Sequence, residues 1–343
     1  MPKREPAVDP AAPRRWLPAV AGIVVSVALL WWALRGVNPT DILTHVRAAR
    51  PLPLIVAVIL GTLTFPIRWI RWRILLGPAG ASPQYGAPLW HAIAVGFMAN
   101  NLLPLRAGEL VRSYTAARLT GIRFTTVLSS VAVERIFDGL AVVGLLTVAL
   151  LGFDLPRSLS IAGVSVLQLA QGGAVVSAGA FLIAIAILAA PAMAEKVIRR
   201  LAPSRLADKL VKMVEGIRQG LVALRTPGRL LLVALWSLVL WLGNALAFYA
   251  GFAAFDIPVS YVGALLLQGL LVLGIAIPST PGFFGPFEAV IVAVLALYGV
   301  PNDVAFSYAI AYHITSFLPI TLLGLWSLTR VPGGFQGIRQ APR

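Results

Sequence analysis

Six charged residues between Asn100 and Asp138, a part of the chain rich in apolar residues, are candidates for a binding site. Arginines are suited to planar, two-point contact with phosphate, and carboxylates between them can hold the arginines in place or receive an amine. Charge at membrane depth is expensive and is kept where it faces a protein interior or a polar pathway. These residues are therefore predicted to bind a lipid substrate with phosphate and amine groups. They are Arg106, Glu109, Arg112, Glu134, Arg135 and Asp138.

The second half of the chain has a lone carboxylate, Glu288, at the end of a segment broken by proline and glycine. No basic residue is near it in sequence, so any partner must come from another helix. Glu288 is predicted to belong to the same substrate-binding set, and a buried glutamate could also carry a proton that is coupled to transport. Helix breaks at membrane depth are tolerated only where other groups or a water-filled cavity satisfy the freed backbone. The predicted breaks are Pro104, Gly108, Pro278, Pro281, Gly282 and Gly285.

Helical spacing suggests how the charges pair. Arg106 and Arg112 flank Glu109 by three residues on each side, so one carboxylate could meet both guanidinium groups. Glu134 and Asp138 are four residues apart and share one helix face. The alternative interpretation of each group is a charge-balanced structural cluster.

Arg68, Arg71 and Arg73 alternate with tryptophans at the end of an apolar run. Such residues are ordinary anchors at the membrane interface. Arg135 and Asp138, three residues apart, are predicted to pair inside a span, so replacing Arg135 is expected to be more harmful than replacing Arg71.

The composition is that of an integral membrane protein. Hydrophobic residues make up 59% of the chain and charged residues 12%, whereas a soluble domain has roughly 25% charged residues. The net charge of +15 comes from residues in the gaps between apolar runs, which indicates anionic phospholipids rather than nucleic acid as partners. The chain has no cysteine, and its three histidines show no ligand spacing. We therefore predict no metal site and no cofactor; the oligomeric state is left open.

The fold class predicted is all-α, a polytopic integral membrane helical bundle. A single transmembrane domain, residues 16–329, lies between cytoplasmic tails 1–15 and 330–343. Its basic loop, residues 191–229, should be cytoplasmic by the positive-inside rule. The apolar runs are residues 16–34, 52–67, 85–103, 125–151, 161–190, 230–252, 261–277, 287–297 and 304–328.

Simple alternation of these runs would place the basic loop outside. Parity is restored if residues 85–103 and 106–119 form a re-entrant hairpin from the cytoplasmic side, and residues 261–277 and 287–297 form one from the outside. The result is six full spans and two hairpins of opposite orientation, related by an inverted repeat. Eight conventional spans are the alternative.

The basic loop also contains a helical apolar pattern that follows a candidate cap, Ser204. This pattern indicates an amphipathic helix on anionic lipid, or else a connector packed on the bundle. Its apolar positions are Leu206, Leu210, Val214, Ile217 and Leu221.

Several ordered motifs resemble the flippase-like membrane domain of the lysylphosphatidylglycerol synthase family. They begin at Arg71, Asn101, Ser129 and Ile277, and they read RWRILL, NLLPLRAGE, SSVAVERIFD and IPSTPGFFGPFE. The family's usual Pro-Gly-Gly-x-Gly is replaced here by Pro-Gly-Phe-Phe-Gly at residues 281–285. The resemblance covers about residues 15–330.

The resemblance implies movement of a lipid with a polar headgroup between the leaflets of a prokaryotic inner membrane, with both termini cytoplasmic. It does not imply aminoacyl transfer, which the synthases carry out in a separate soluble domain, so the chain is predicted not to be an enzyme. No G-x-x-x-x-G-K-[ST] loop for ATP occurs in the sequence. The alternatives are an integral membrane transferase acting on a lipid phosphate, or a non-catalytic scaffold for envelope synthesis.

Overall fold

The computed structural model of the protein describes residues 17–77, 82–103, 107–151, 191–204, 227–275 and 280–332, with short pieces between 160 and 211. These residues form a bundle of α-helices, which confirms the predicted all-α membrane class. The helices are α1 Leu17–Ala33, α2 Pro39–Ala48, α3 Pro51–Leu75, α4 Gly86–Leu102, α5 Gly108–Thr120, α6 Phe124–Leu151, α7 Pro191–Leu201, α8 Pro227–Ala254, α9 Tyr261–Gly274, α10 Pro286–Ala296 and α11 Asn302–Leu328.

Within the part of the chain that the structure describes, three helices are long and apolar enough to cross a membrane: α3, α8 and α11. Their 25 to 28 residues correspond to about 37 to 42 Å of helix, more than the roughly 30 Å of a bilayer core. Helix α6 is equally long, with 28 residues, but carries three charged residues near its middle. The protein is therefore a multi-pass membrane protein whose longest helices surround a charged interior.

Helices α4 and α5 pack against each other as a hairpin broken at the predicted place. Neither helix, with 17 and 13 residues, reaches the length of about 20 residues that a span needs. Asn100 accepts a hydrogen bond from the backbone N–H of Gly108 through Oδ1, at 2.9 Å. A side chain on Gly108 would run into the carbonyl oxygen of Gly96, so glycine is what lets the two helices approach this closely.

Helices α9 and α10 form the second hairpin, with 14 and 11 residues. Between them lie a short 3-10 turn, Pro281–Phe283, and two glycines in the left-handed region, Gly282 with φ 73° and Gly285 with φ 98°. The breaks predicted at Pro281, Gly282 and Gly285 thus fall where the helix is interrupted. Pro104 and Pro278 lie outside the described residues.

The two hairpins begin at opposite ends of the bundle. At one end Trp69 of α3 donates to the carbonyl of Gly86, at the start of the first hairpin, over 2.7 Å. At the other end, the backbone N–H of Arg50 donates to Ala254 over 2.8 Å, and Val259 and Tyr298 belong to one apolar cluster at the base of the second hairpin. This arrangement agrees with hairpins of opposite orientation, while their entry into the bilayer and its sidedness remain predictions.

The structure corrects or extends three sequence predictions. Helix α3 does not end at Ile67 but continues through Arg71 to Leu75. The apolar run 161–190 does not begin as a span, because Ile161 pairs with Val164 in a two-residue antiparallel ladder. Most of this run lies outside the described residues, as do Val214, Ile217 and Leu221 of the predicted amphipathic helix.

In the basic loop, Ser204 is already helical instead of a cap, and Leu206 is half exposed. A helix that the sequence patterns did not indicate, α7, opens this loop.

Candidate functional site

Helix α11 brings the two helix breaks together near its middle. Asn101, at the end of α4, donates to the hydroxyl of Thr321 over 2.9 Å. One turn earlier on α11, Phe317 lies against Gly282, where an added side chain would meet its ring. His313, a further turn away, contacts the carbonyl of Gly282 through Nε2 at 2.8 Å. Polar groups beside both breaks, the side chain of Asn101 and the carbonyl of Gly282, are therefore held by α11.

The buried charges form one network centred on Glu134 of α6, which is fully buried. Arg112 of α5 donates to both of its oxygens, over 3.1 and 2.9 Å, the two-point geometry that arginine makes best. Arg71 of α3 forms an ion pair with the same carboxylate at 3.1 Å. The guanidinium of Arg112 also lies 3.8 Å above the ring of Trp72, which is fixed because its indole donates to Ser130. Helices α3, α5 and α6 are thereby joined at a single carboxylate.

Asp138, one turn further along α6, extends the network to α8. Its Oδ1 accepts from Arg71 at 2.6 Å and from the indole of Trp241 at 3.0 Å, and Arg71 also donates to Ser237 over 2.9 Å. Arg135 contacts the other oxygen at 3.3 Å, which confirms the predicted pair. Asp138 therefore ties together three charged or polar groups from three helices, Arg71 of α3, Arg135 of α6 and Trp241 of α8.

Arg71 is the largest correction to the sequence-based site. It was interpreted as an interfacial anchor, but its side chain is fully buried and pairs with both Glu134 and Asp138. The structure therefore favours the opposite order of sensitivity to the expected one, Arg71 above Arg135, because 37% of the Arg135 side chain is exposed. One feature of the sequence could have indicated this position. Arg68 and Arg71 are three residues apart, so they share a face of the helix if it continues past the apolar run that ends at residue 67.

Glu109 does not pair with Arg112 as the spacing suggested. Its carboxylate instead contacts Nε of Arg135 at 2.8 Å, and both side chains are about one-third exposed. The physical reason is that Arg112 points from α5 toward Glu134 and Trp72, which hold its guanidinium away from its own helix. Arg106 lies outside the described residues.

Arg68 is a second buried arginine that the sequence patterns did not single out. Its guanidinium lies 4.8 Å over the ring of Phe97, one turn before α4 ends, and the residue is 8% exposed. Among the described residues, its Nε and Nη1 have no hydrogen-bond partner. The described cluster thus holds four arginines, Arg68 and three paired ones, against three carboxylates, and it carries one surplus positive charge.

Glu288 finds its partner on another helix, as expected from its isolation in sequence. Its Oε1 lies 2.6 Å from Nδ1 of His313, and its Oε2 accepts the backbone N–H of Gly285 at 2.7 Å. His313 is sandwiched between Phe284 and Phe287, whose rings stack at 4.4 and 4.1 Å from it. This second site is thus a buried pair, separate from the arginine network.

The fold and these sites define a polytopic helical membrane protein with two broken helical hairpins and ionisable side chains in its interior. Residues 19–324 match the family described as the lysylphosphatidylglycerol synthase TM region. The chain belongs to this family, which confirms the resemblance carried by its motifs.

Relatives in the curated proteins are similar over different shares of the chain. A UPF0104 membrane protein of Methanothermobacter thermautotrophicus is 26% identical over 318 residues, which cover 88% of this chain and 89% of the relative. Glycosyltransferase AglD of Haloferax volcanii is 32% identical over 145 residues, 42% of this chain but only 23% of that protein. A second UPF0104 membrane protein, MJ1078 of Methanocaldococcus jannaschii, is 26% identical over 66% of this chain. No solved structure matches the chain.

Proposed function

We propose that this protein moves a lipid with a phosphate-bearing headgroup from one membrane leaflet to the other. The observation that carries the proposal is the surplus positive charge of the buried network. A buried guanidinium with unsatisfied donors is costly, and phosphate oxygens fit its planar fork. Arg68 is therefore the side chain through which a headgroup phosphate would be held.

The position of Arg68 supports a path through the protein. Its guanidinium lies over Phe97, close to the end of α4, and the first break follows within a few residues. The second break lies beside the first along α11, because Thr321 and Phe317 are one helical turn apart. A headgroup would pass along these polar breaks while its acyl chains stay in the bilayer.

The other predicted site residues divide into two roles in this proposal. Arg112, Glu134 and Asp138 hold the network in place through contacts already made within the protein. Glu109 and Arg135 are partly exposed, so they are the ones that can exchange their mutual contact for an amine or a second phosphate oxygen. Arg106 on the break would add a further cation.

The names of the relatives suggest headgroup classes. The family takes its description from lysylphosphatidylglycerol, a phospholipid with an amine, and one relative is named a glycosyltransferase. A phospholipid and a lipid-linked sugar phosphate share the phosphate that Arg68 would contact. Both are therefore suitable test substrates.

The test is leaflet-resolved transport of headgroup-labelled lipids in reconstituted vesicles, comparing wild type with Arg68→Gln and Arg68→Lys. A hydrogen bond to a charged group contributes about 1.5–3 kcal/mol, so Arg68→Gln should slow transport by roughly 10- to 100-fold. Arg68→Lys keeps the charge but loses the fork and should be intermediate. Arg47→Gln, on the exposed surface of α2, is the matched control and should transport at the wild-type rate.

If the wild-type protein moves neither lipid class, the proposal is overturned. Normal rates in both Arg68 variants, with folded protein, would remove Arg68 from the path and return attention to Glu109 and Arg135.

A second candidate, a transferase acting on a lipid phosphate, is favoured by the glycosyltransferase relative. It would need a free carboxylate as base or as a Mg²⁺ ligand. Glu134 and Asp138 are instead held by arginines at 2.6 to 3.1 Å, which makes them poor candidates for either task. Turnover of a lipid phosphate by purified protein that depends on Mg²⁺ would favour this function over the carrier.

A further inference from the structure

The contact between Glu288 and His313 is so short that a proton must lie between the two facing atoms. Nε2 of His313 lies 2.8 Å from the carbonyl oxygen of Gly282. A carbonyl only accepts, so Nε2 must carry the hydrogen. A neutral imidazole with its hydrogen on Nε2 has a lone pair on Nδ1, and Nδ1 lies 2.6 Å from Oε1 of Glu288. Two acceptors do not approach this closely without a proton between them.

The pair therefore holds one proton that the fully deprotonated side chains would not have. That proton is either on the carboxyl group, facing a neutral imidazole, or on Nδ1, facing a carboxylate. Both arrangements have zero net charge, which suits a site where Glu288 is fully buried and the His313 side chain is 5% exposed. Loss of the proton would leave one negative charge and two lone pairs facing each other at this distance.

The same side chains hold the second helix break together. Glu288 accepts from Gly285, His313 donates to Gly282, and Thr280 of the turn donates to Ser26 of α1. Repulsion after deprotonation would turn the imidazole away and release Gly282, which packs against Phe317. The shape of the break is thus linked to one proton.

No other charged side chain among the described residues contacts the pair. Helix α1 faces the break through Ser26, and the nearby part of α11 carries Tyr308 and Tyr312. Both tyrosines pack on Phe248 of α8, away from the carboxyl group. The remaining titratable side chains on the neighbouring helices are engaged elsewhere: Tyr261 of α9 with Leu242, His91 of α4 with Trp326 and Asp303 of α11 with His45.

We propose that the Glu288–His313 pair is a proton-binding site whose loading and release drive the movement of lipid. The proposal rests on the proposed function for its second half, while proton binding stands on the geometry alone. If one proton is taken up and released for each lipid moved, a pH gradient supplies the energy for the movement and no ATP is needed. At that ratio, a gradient of one pH unit shifts the distribution of lipid between the leaflets by about tenfold at equilibrium.

The first experiment measures the proton directly, by NMR of protein with ¹⁵N-labelled histidine in lipid nanodiscs. Only three histidines are present, so the resonances can be assigned with His45→Gln and His91→Gln. The His313 ¹⁵N signals should change in wild type when the pH is raised far enough to remove the shared proton. In Glu288→Gln the amide donates to Nδ1 without a removable proton, so the titration should disappear while the Nε2 hydrogen remains. An unchanged His313 titration in Glu288→Gln, or none in wild type, overturns the proton site.

The second experiment measures lipid distribution in vesicles with an imposed pH gradient. Wild type and the control His45→Gln should shift the labelled lipid by up to about tenfold per pH unit, and Glu288→Gln should abolish the shift. A wild-type distribution that ignores the gradient overturns the coupling. If wild type moves no lipid at any pH, the proposed function and the coupling both fail, and the NMR titration still decides whether the pair binds a proton.

Discussion

The two hairpins hold buried charge in opposite ways. Around the first hairpin, the two buried carboxylates, Glu134 and Asp138, each have at least two partners among arginines and polar hydrogens. Around the second, Glu288 has a single side-chain partner, His313, and aromatic rings enclose them. The first arrangement has permanent charges, whereas the second can gain or lose one.

This difference separates a binding surface from a switch. Arginine stays charged at any physiological pH, so the first network can attract an anionic headgroup but cannot change its own charge. The Glu288–His313 pair, in contrast, changes its net charge when the proton between its two atoms is lost. The carrier proposed here needs both: a constant attraction near Arg68 and a variable contact at the second break.

Among the substitutions that test this difference between the hairpins, Arg71→Ala should reduce stability most. Arg71→Ala would leave Glu134 and Asp138 each short of a partner in a fully buried position. Removing one partner of a buried ion pair costs about 3–5 kcal/mol. We expect a marked loss of folded protein, measured by monodisperse yield in detergent and by the thermal unfolding midpoint.

Arg135→Ala is the matched control, because Arg135 contacts the same Asp138 but remains 37% exposed. The loss of folded protein in Arg135→Ala should be clearly smaller than in Arg71→Ala. Equal destabilisation by the two substitutions would show that the network is not organised around Arg71.

The sequence predicted the charged core only in part, for a definable reason. Spacing within one helix identified the Arg135–Asp138 pair, since the two residues are three apart. It misled for Glu109, whose partner comes from α6 rather than from its own helix. Contacts between helices such as Arg71–Asp138, 67 residues apart, depend on how the helices pack, and no local pattern contains that information.

The hairpins were easier to predict. Proline and glycine interrupt apolar runs that are too short to span, and such interruptions are visible in sequence. The meeting of the two breaks on α11 was not visible, because Thr321 and Phe317 look like ordinary residues of an apolar helix.

Gly285 shows how tightly the break of the second hairpin is held against α1. Gly285 combines φ of 98° with a close approach to the carbonyl oxygen of Ser26. Gly285→Ala should destabilise the protein by about 2–3 kcal/mol, because it adds backbone strain and pushes against α1. The measurement is the thermal midpoint, together with the accessibility of a cysteine placed at Ser26.

Gly121→Ala separates strain from contact. Gly121 has φ of 73° but nothing within 4 Å of an added side chain, so only the cost of the left-handed conformation, about 1–2 kcal/mol, should appear. If Gly285→Ala is no worse than Gly121→Ala, the contact with α1 does not constrain the break.

The smallest effect is expected at the histidine–carboxylate pair that lies near the surface. His45 and Asp303 approach to 2.8 Å, as close as a charged pair normally does, but their side chains are 33% and 35% exposed. Solvent screens such a pair, so His45→Gln should change stability by no more than about 1 kcal/mol. Comparing its thermal midpoint with that of His313→Gln at one pH measures the effect of burial on two histidine–carboxylate pairs, one exposed and one buried. Because no solvent replaces the lost partner of Glu288, His313→Gln should be the more destabilising of the two. If the two variants have equal thermal midpoints, water reaches the pair at the second hairpin.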